Sequence, residues 1–380
     1  AIAHSLVGEF NKLSVLILSG SPIIGSFDFR ARVDFVRVPG VIKLRNGDYT
    51  SLKLHLDIEQ TMALRASIIR HTADVFDPDI FIVDKEPLGL RGEVGDTLEM
   101  LKSRGTPLIL GLRDVMDEPE LLVPEWERKH VMPALKDLYD ELWVYGLPQF
   151  YDPLTGVEIP EVIRRKIVYT GYLKHQVPEA LSVKSASVPN TPYILVTAGG
   201  GGDGDVLIDW VLTAYETGMK IPHPALIVLG PFMHTDHQES FLARIEKLES
   251  VSAMTFSSHI EHLMEKAVGV VAMGGYNTFC EILSFDKPSI IVPRTVPRLE
   301  QYIRASRAQE LGLLSMLNYD NEADPKTMAT ALCQLTQQNP PSEIILPGLL
   351  DGLQNINRLV SQYIAKSHRQ ELSTIDQLIS

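Results

Sequence analysis

The chain has 380 residues, 45% hydrophobic and 22% charged, which excludes disorder and fibrous repeats and suits two domains better than one core. Its net charge of −13 is spread over both halves, and Arg164-Arg165-Lys166 is the longest basic run, so nucleic acid is not an expected partner. No apolar run approaches the ~20 residues of a membrane-spanning helix, and two cysteines, Cys280 and Cys333, favour a reducing, cytoplasmic setting over a disulfide scaffold.

The chain opens on Ala1-Ile2-Ala3-His4-Ser5-Leu6-Val7, which reads as the middle of an amphipathic helix with no cap. That start predicts a βα turn of about 15 to 25 residues ahead of Ala1. Short apolar runs then predict strands at Leu13–Leu18, Asp34–Val38, Ile80–Asp84, Pro107–Gly111, Leu142–Tyr145 and Ile167–Thr170. Helical patterns at Asp57–Phe76 and Glu93–Arg104 fall between them. The period lapses between Gly171 and Pro192, a Pro- and Ser-containing stretch that reads as a linker. A second series follows: strands at Tyr193–Thr197, Ala225–Leu229, Ala253–Phe256, Val268–Ala272 and Ser289–Pro293. Its helices are Asp205–Thr217, Glu239–Glu249, Thr278–Phe285 and Glu300–Leu311. Leu349–Ala365 is a last helical pattern, free to pack on either domain.

Most of these strands are continuously apolar, as parallel strands covered on both faces are. The expected fold class is α/β, two doubly wound parallel-sheet (Rossmann-like) domains facing a cleft. The expected boundaries are 1–173, a linker at 174–191, a second domain at 192–348 and a C-terminal helical segment at 349–380.

Ligands of open α/β sheets sit beyond the carboxyl ends of the strands. Three such segments stand out. Thr197-Ala198-Gly199-Gly200-Gly201-Gly202-Asp203-Gly204 joins a strand to a helix whose free N–H groups and positive dipole end suit a phosphate or a sugar, a flexible turn being the plain alternative. Gly274-Gly275-Tyr276-Asn277-Thr278-Phe279-Cys280-Glu281 repeats the pattern. Thr278-x-x-Glu281 fits a capping box, while Glu281 could instead hold two ribose hydroxyls. After Pro293-Arg294, Glu300-Gln301 opens a helix, where the pair could grip vicinal hydroxyls or the glutamate could simply complement the helix dipole.

In the first half, Asp84, Arg113 and Asp114 lie at strand carboxyl ends. Asp84 or Asp114 could serve as a general base, with a structural salt-bridge network as the alternative. Two Asp-x-Asp strings invite a metal. Asp77-Pro78-Asp79 precedes its strand, at the wrong end of a sheet, and Asp203-Gly204-Asp205 could be helix capping. With no His/Cys cluster of zinc spacing, no metal and no cofactor are expected.

Together the Gly-rich turn, GGYNTFCEILSFDKPSIIVPR and RLEQYIRA resemble the C-terminal donor-binding domain of the GT-B glycosyltransferases of family 28, the MurG-like group. The first half, with FIVDKEPLGLRGE, LGLRD and LWVYGLPQFYD, resembles a bacterial subgroup of predicted glycosyltransferases, so the likeness covers nearly the whole chain. It implies that Glu281 binds the nucleotide ribose, that Gly275, Tyr276, Asn277 and Thr278 face the diphosphate, and that Glu300 and Gln301 contact the donor sugar. It further implies that Ile260 holds the base through its backbone, with His259 beside base or phosphates or merely on a surface loop. Gly199, Gly200, Gly201 and Gly202 would line the cleft, and Arg113 would lie on the acceptor side. Family members open on a strand and a Gly-x-Gly-His-type loop that carries a catalytic histidine; His4 sits inside a helix and does not take that role, so the main catalytic loop is expected ahead of Ala1.

The implied activity is transfer of a sugar from a nucleotide-diphosphate donor, a UDP-sugar by expectation, to an acceptor hydroxyl, inverting and metal-independent. Chemistry would lie in the interdomain cleft, which closes about the linker. A lipid-linked acceptor or a polysaccharide fits, with peripheral membrane contact, and the sequence names neither. A UDP-sugar 2-epimerase of the same architecture and a non-catalytic nucleotide-sugar-binding protein are the alternatives.

Overall fold

The computed structural model describes residues 1–43, 49–177, 188–200, 202–319 and 324–379, with side chains as far as residue 366. Most of the expected linker, residues 178–187, lies outside them, as does Gly201. The chain divides into two compact units: residues 1–148, 152–173 and 351–380 make the first, and residues 149–151 and 174–350 the second.

The first unit runs α1 (Ile2–Glu9), β1 (Val15–Ser19), β2 (Val33–Arg37), β3 (Val41–Lys43), β4 (Tyr49–Ser51), α2 (Ile58–Phe76), β5 (Phe81–Asp84) and α3 (Gly95–Ser103). It continues with β6 (Leu108–Arg113), α4 (Pro119–Arg128), α5 (Val131–Asp137), β7 (Glu141–Tyr145), α6 (Glu161–Arg164) and β8 (Ile167–Tyr169). Strands β5-β6-β7-β8 form a parallel sheet in that order; β1 and β2 pair in parallel, and β3 and β4 form an antiparallel hairpin. Leu108, Leu110 and Leu112 of β6 are fully buried and join Leu98, Leu101, Trp126, Leu135, Leu142 and Val144 in one core cluster. Helix α2 begins where the sequence predicts because Asp57 and Gln60 form a reciprocal capping box. It ends at Asp77, whose left-handed φ of 47° stops the helix.

The second unit runs β9 (Ile194–Thr197), α7 (Asp205–Glu216), β10 (Ala225–Val228), α8 (Thr235–Ile245), β11 (Val251–Met254), α9 (Ile260–Lys266) and β12 (Gly269–Ala272). It ends with α10 (Tyr276–Ser284), β13 (Ser289–Ile291), α11 (Glu300–Glu310), β14 (Ser315–Met316) and α12 (Pro325–Gln334). Its six strands are all parallel, in the order β11-β10-β9-β12-β13-β14. Every residue of β9, β10, β12 and β13 is buried, as a sheet with helices on both faces demands. The order also fixes a switch point. From β9 the chain steps outward to β10 and β11, then crosses back to β12 on the other side of β9. The loops after β9 and β12 therefore leave neighbouring strands on opposite paths, which opens a crevice at their carboxyl ends.

The last helix, α13 (Gly352–Ile379), belongs to the first unit. The N–H of Gly352 donates to Tyr172 O at 3.1 Å, Asn355 Nδ2 donates to Thr170 O at 2.8 Å, and Ser5 Oγ donates to Asn357 Oδ1 at 3.2 Å. A Cβ on Gly352 would lie 2.5 Å from two backbone carbonyl oxygens, so only glycine admits this approach.

Candidate functional site

The Gly-rich turn leaves β9 at the switch point. Thr197 Oγ1 accepts the N–H of Gly199 at 3.2 Å, and Gly200 O accepts the N–H of Phe232 at 3.0 Å. Gly204 ends the turn against Ala198 and beside Met273, where a Cβ would fall 2.1 Å from Ala198 Cβ and 3.6 Å from Met273 Sδ. The Met273 contact brings the loops after β9 and β12 together at one place. The expected capping by Asp203-Gly204-Asp205 does not form: Gly204 itself caps α7, without a side-chain bond. Asp203 instead pairs with Arg294, and Asp205 lies 3.7 Å from His237 Nδ1. The first N–H groups of α7 thus keep no side-chain cap, which leaves their partial positive charge to a ligand.

Beyond β12, Gly274 adopts φ +80°, a conformation that turns the chain sharply into α10. Its carbonyl accepts from Arg304 Nη1 at 3.0 Å, and the Arg304 guanidinium stands 5.7 Å from the Tyr276 ring centre. Arg304 is 1% exposed, an unusual place for an arginine, and it fastens this turn to α11. Replacing it by Met removes the charged hydrogen bond and leaves a buried carbonyl, and an expected loss of about 1.5–3 kcal/mol would appear as an earlier unfolding transition in urea.

The capping box expected from Thr278 and Glu281 is absent. The helix starts two residues earlier, capped by Gly275, so Thr278 is its third residue and Glu281 belongs to its body. Glu281 is 7% exposed. Burial, with the neighbouring Glu261 charge added, pushes its carboxyl up to about 8. Burial acts on Glu261 in the same direction, but His175 and its own main-chain N–H hold Glu261 below the usual carboxylate range. His175 Nδ1 lies 3.9 Å from Oε1 of each glutamate. Two carboxyl groups and an imidazole thus share one small volume on α9, α10 and the segment before residue 178.

On the other side of β12, the segment after β13 organises a polar cluster. Arg294 pairs with Asp203 and sets Nη2 3.6 Å from Glu300, while its Nε is buried without a partner. Gln301 is buried, and its Oε1 accepts the N–H of Arg294 at 3.2 Å, so part of its hydrogen-bonding capacity is spent on the fold. Glu300 opens α11 with its side chain 15% exposed. His259 is the N-cap residue of α9 and stacks edge-on with His262 at 6.2 Å, and Ile260 is the first helical residue. A first-turn position frees the Ile260 N–H from the helix's own bonding.

The first-half candidates fare differently. Asp114 is fully buried: Tyr172 Oη donates to its Oδ2 at 2.9 Å, and the Val115 N–H donates to Oδ1 at 2.8 Å. That is an anchor within the core, closed to a substrate. Asp84 keeps its side chain 57% exposed and bonds Arg113 Nη2 at 2.9 Å. Tyr172→Phe should lower the unit's stability by about 1.5–3 kcal/mol, the cost of a lost bond to a buried carboxylate, read as a lower denaturant midpoint. Asp77 and Asp79 precede β5, at its amino end.

Sequence reasoning passed over four residues of the second unit. Arg294 and Arg304 stand inside segments whose other members it singled out, but nothing in the sequence separates the half-buried Arg294 or the buried Arg304 from a solvated arginine. Glu261 and His175 reach Glu281 only through tertiary packing of α9 and of the segment before residue 178.

Comparisons with known proteins agree with this architecture. Residues 194–343 match the family model of the Glycosyltransferase family 28 C-terminal domain. An uncharacterized glycosyltransferase of Methanosarcina acetivorans is 23% identical over 356 residues, covering 87% of this chain and 85% of its own. Among solved structures, Acinetobacter baumannii MurG superposes with TM-score 0.56 at 10% identity, covering 94% of both chains. Phytolacca americana UGT2, complexed with UDP-2fluoro-glucose and pterostilbene, gives TM-score 0.61 at 13% identity over 95% of both. The fold is the two-unit, Rossmann-like GT-B architecture. The second unit carries a Glycosyltransferase family 28 C-terminal domain, and the chain over most of its length is similar to a glycosyltransferase. No described helix is long and apolar enough to cross a membrane.

Proposed function

We propose that the chain transfers a sugar from a nucleoside diphosphate, uridine-linked, to an acceptor hydroxyl, with the second unit holding the donor and the first the acceptor. One observation carries this reading: the two glycine-bearing turns that precede α7 and α10 flank the switch point of the second sheet and meet at Gly204 and Met273. Helix starts without side-chain caps at a switch point suit a diphosphate. Glu281 takes the ribose hydroxyls, the Ile260 N–H takes the base, and Glu300 takes the sugar, with Gln301 beside it.

The acceptor oxygen attacks the anomeric carbon, the carbon–oxygen bond to the diphosphate breaks, and its electron pair leaves with the phosphate. Direct displacement inverts the anomeric centre without a covalent intermediate. The leaving charge grows next to the first N–H groups of α7 and α10, where fixed dipoles stabilise it without a metal on the phosphates. Asp84, bonded to Arg113, is the acceptor-side candidate for the departing proton. The acceptor is a lipid-linked sugar or a polysaccharide by class, and the setting is the cytoplasm.

Incubation with a panel of nucleotide sugars and candidate acceptors, followed by mass spectrometry of the products, tests the proposal. Sugar transfer with release of nucleoside diphosphate is expected. A sugar epimerised with no acceptor present would replace this reading by the epimerase.

A further inference from the structure

We propose that His175, Glu261 and Glu281 form a binding site for one divalent transition-metal cation of the zinc or manganese class. One ligand atom from each residue lies within 4.8 Å of the others: an imidazole nitrogen and two carboxylate oxygens. The three come from separate parts of the second unit. His175 belongs to the segment that enters the unit, Glu261 to the first turn of α9, and Glu281 to the body of α10. The segment carrying His175 is fastened in place: its N–H donates to Ser284 Oγ at 2.9 Å, and Ser284 Oγ donates to Cys280 O at 2.6 Å. The histidine is thereby tied to the same helix that carries Glu281.

A second observation points to a ligand. The Glu281 side chain is only 10% exposed, and His175 Nδ1 stands 3.9 Å from it, beyond hydrogen-bond reach. No lysine or arginine among the described residues pairs with Glu261 or Glu281. A buried carboxylate ordinarily carries a hydrogen-bond donor or a countercharge. Here a second carboxylate stands beside it, and the His175 imidazole lies 3.9 Å from both. A dication held between the two carboxyl groups would supply the countercharge that the cluster lacks among the described residues, and a bound cation is then the largest local charge.

The ligand set fits. One imidazole and two carboxylates suit zinc or manganese, with bonds of about 2.0–2.2 Å. At that length, neighbouring ligands on a tetrahedron stand about 3.4 Å apart. The observed 3.9 Å separations between His175 and the two glutamates stand about 0.5 Å from that spacing, and all three ligand atoms lie within 4.8 Å of one another. Each residue supplies one atom, so the second carboxylate oxygen of Glu281 stays available to a hydroxyl. The site does not depend on the nucleotide reading and can be tested without any nucleotide.

The experiment is calorimetric titration of the whole chain, stripped by chelator, with zinc chloride and separately with manganese chloride. It is repeated on His175→Ala, Glu261→Gln and, as a control on the exposed histidine of α8, His237→Ala. One equivalent is expected to bind at micromolar concentration, at least tenfold more weakly in the first two variants and unchanged in His237→Ala. Glu261→Gln keeps the side chain's shape, so it carries the test if His175→Ala fails to fold. No binding by the wild-type chain, or equal affinity in wild type and Glu261→Gln, would overturn the proposal. Loss confined to His237→Ala would do the same, by placing the cation on the surface.

Discussion

Gly204→Ala is expected to weaken both the second unit and its hold on a nucleoside diphosphate. The added methyl carbon would lie 2.1 Å from Ala198 Cβ and 3.3 Å from Ala198 Cα. Neither neighbour can swing aside, because Ala198 directly follows a fully buried strand. The start of α7 must shift instead, and with it the N–H groups offered to the phosphates. Overpacking of this kind costs about 1–3 kcal/mol. For a unit of this size each kcal/mol lowers the melting temperature by ~2–4 °C. Gly200→Ala is the matched control, since its methyl would meet only Phe232 Cδ2, at an ordinary 3.5 Å. Calorimetric scans of the two variants should differ by several degrees, and a Gly204→Ala scan equal to that of Gly200→Ala would show that the turn is not tightly seated.

Glu281→Gln should separate the function of that carboxyl from its cost. In the folded chain its pKa stands at about 8, above the ordinary carboxylate value of 4.5, so the native state holds the proton more tightly than the unfolded state does. Its contribution to stability is therefore complete below the unfolded value and is lost as pH rises from there through about 8. Glutamine stays neutral throughout. In chelator-treated buffer the variant should match wild type near pH 5 and melt higher than wild type at pH 8.5. Nucleoside diphosphate binding should move the other way, weakened by about 10- to 100-fold, the worth of one hydrogen bond to a charged group. A variant destabilised at high pH would contradict the burial account, and one with unchanged nucleotide affinity would remove Glu281 from the ribose.

The sequence carried the second sheet well because four of its strands, β9, β10, β12 and β13, are apolar but for at most one terminal residue, as Ala225–Val228 and Gly269–Ala272 show. Such runs announce a buried parallel sheet, and the glycines behind two of them mark the turns at the switch point. What escaped was short or irregular. The three-residue strands β3 and β4 and the two-residue β14 are too brief to show a period. Helix α4 contains Pro124, which reads as a break. Helix α8 starts four residues ahead of the expected Glu239, and β11 starts at Val251 rather than Ala253. The site was legible as segments, not as contacts. Glu281 could be singled out, yet its helix position and its two neighbours depend on how α9 and the entering segment pack. Asp114 shows the opposite failure, since a strand-end aspartate looks like a base until Tyr172 is seen to hold it inside the core.

The central claim is that the second unit binds a nucleoside diphosphate at the carboxyl ends of β9 and β12. Isothermal titration of the whole chain with UDP, GDP, ADP and TDP, each also against Gly204→Ala, tests it most directly. Saturable binding of UDP below millimolar concentration, weakened in Gly204→Ala, is the expected result. Absence of heat with all four nucleotides at millimolar levels, or equal affinity in the variant, would contradict it.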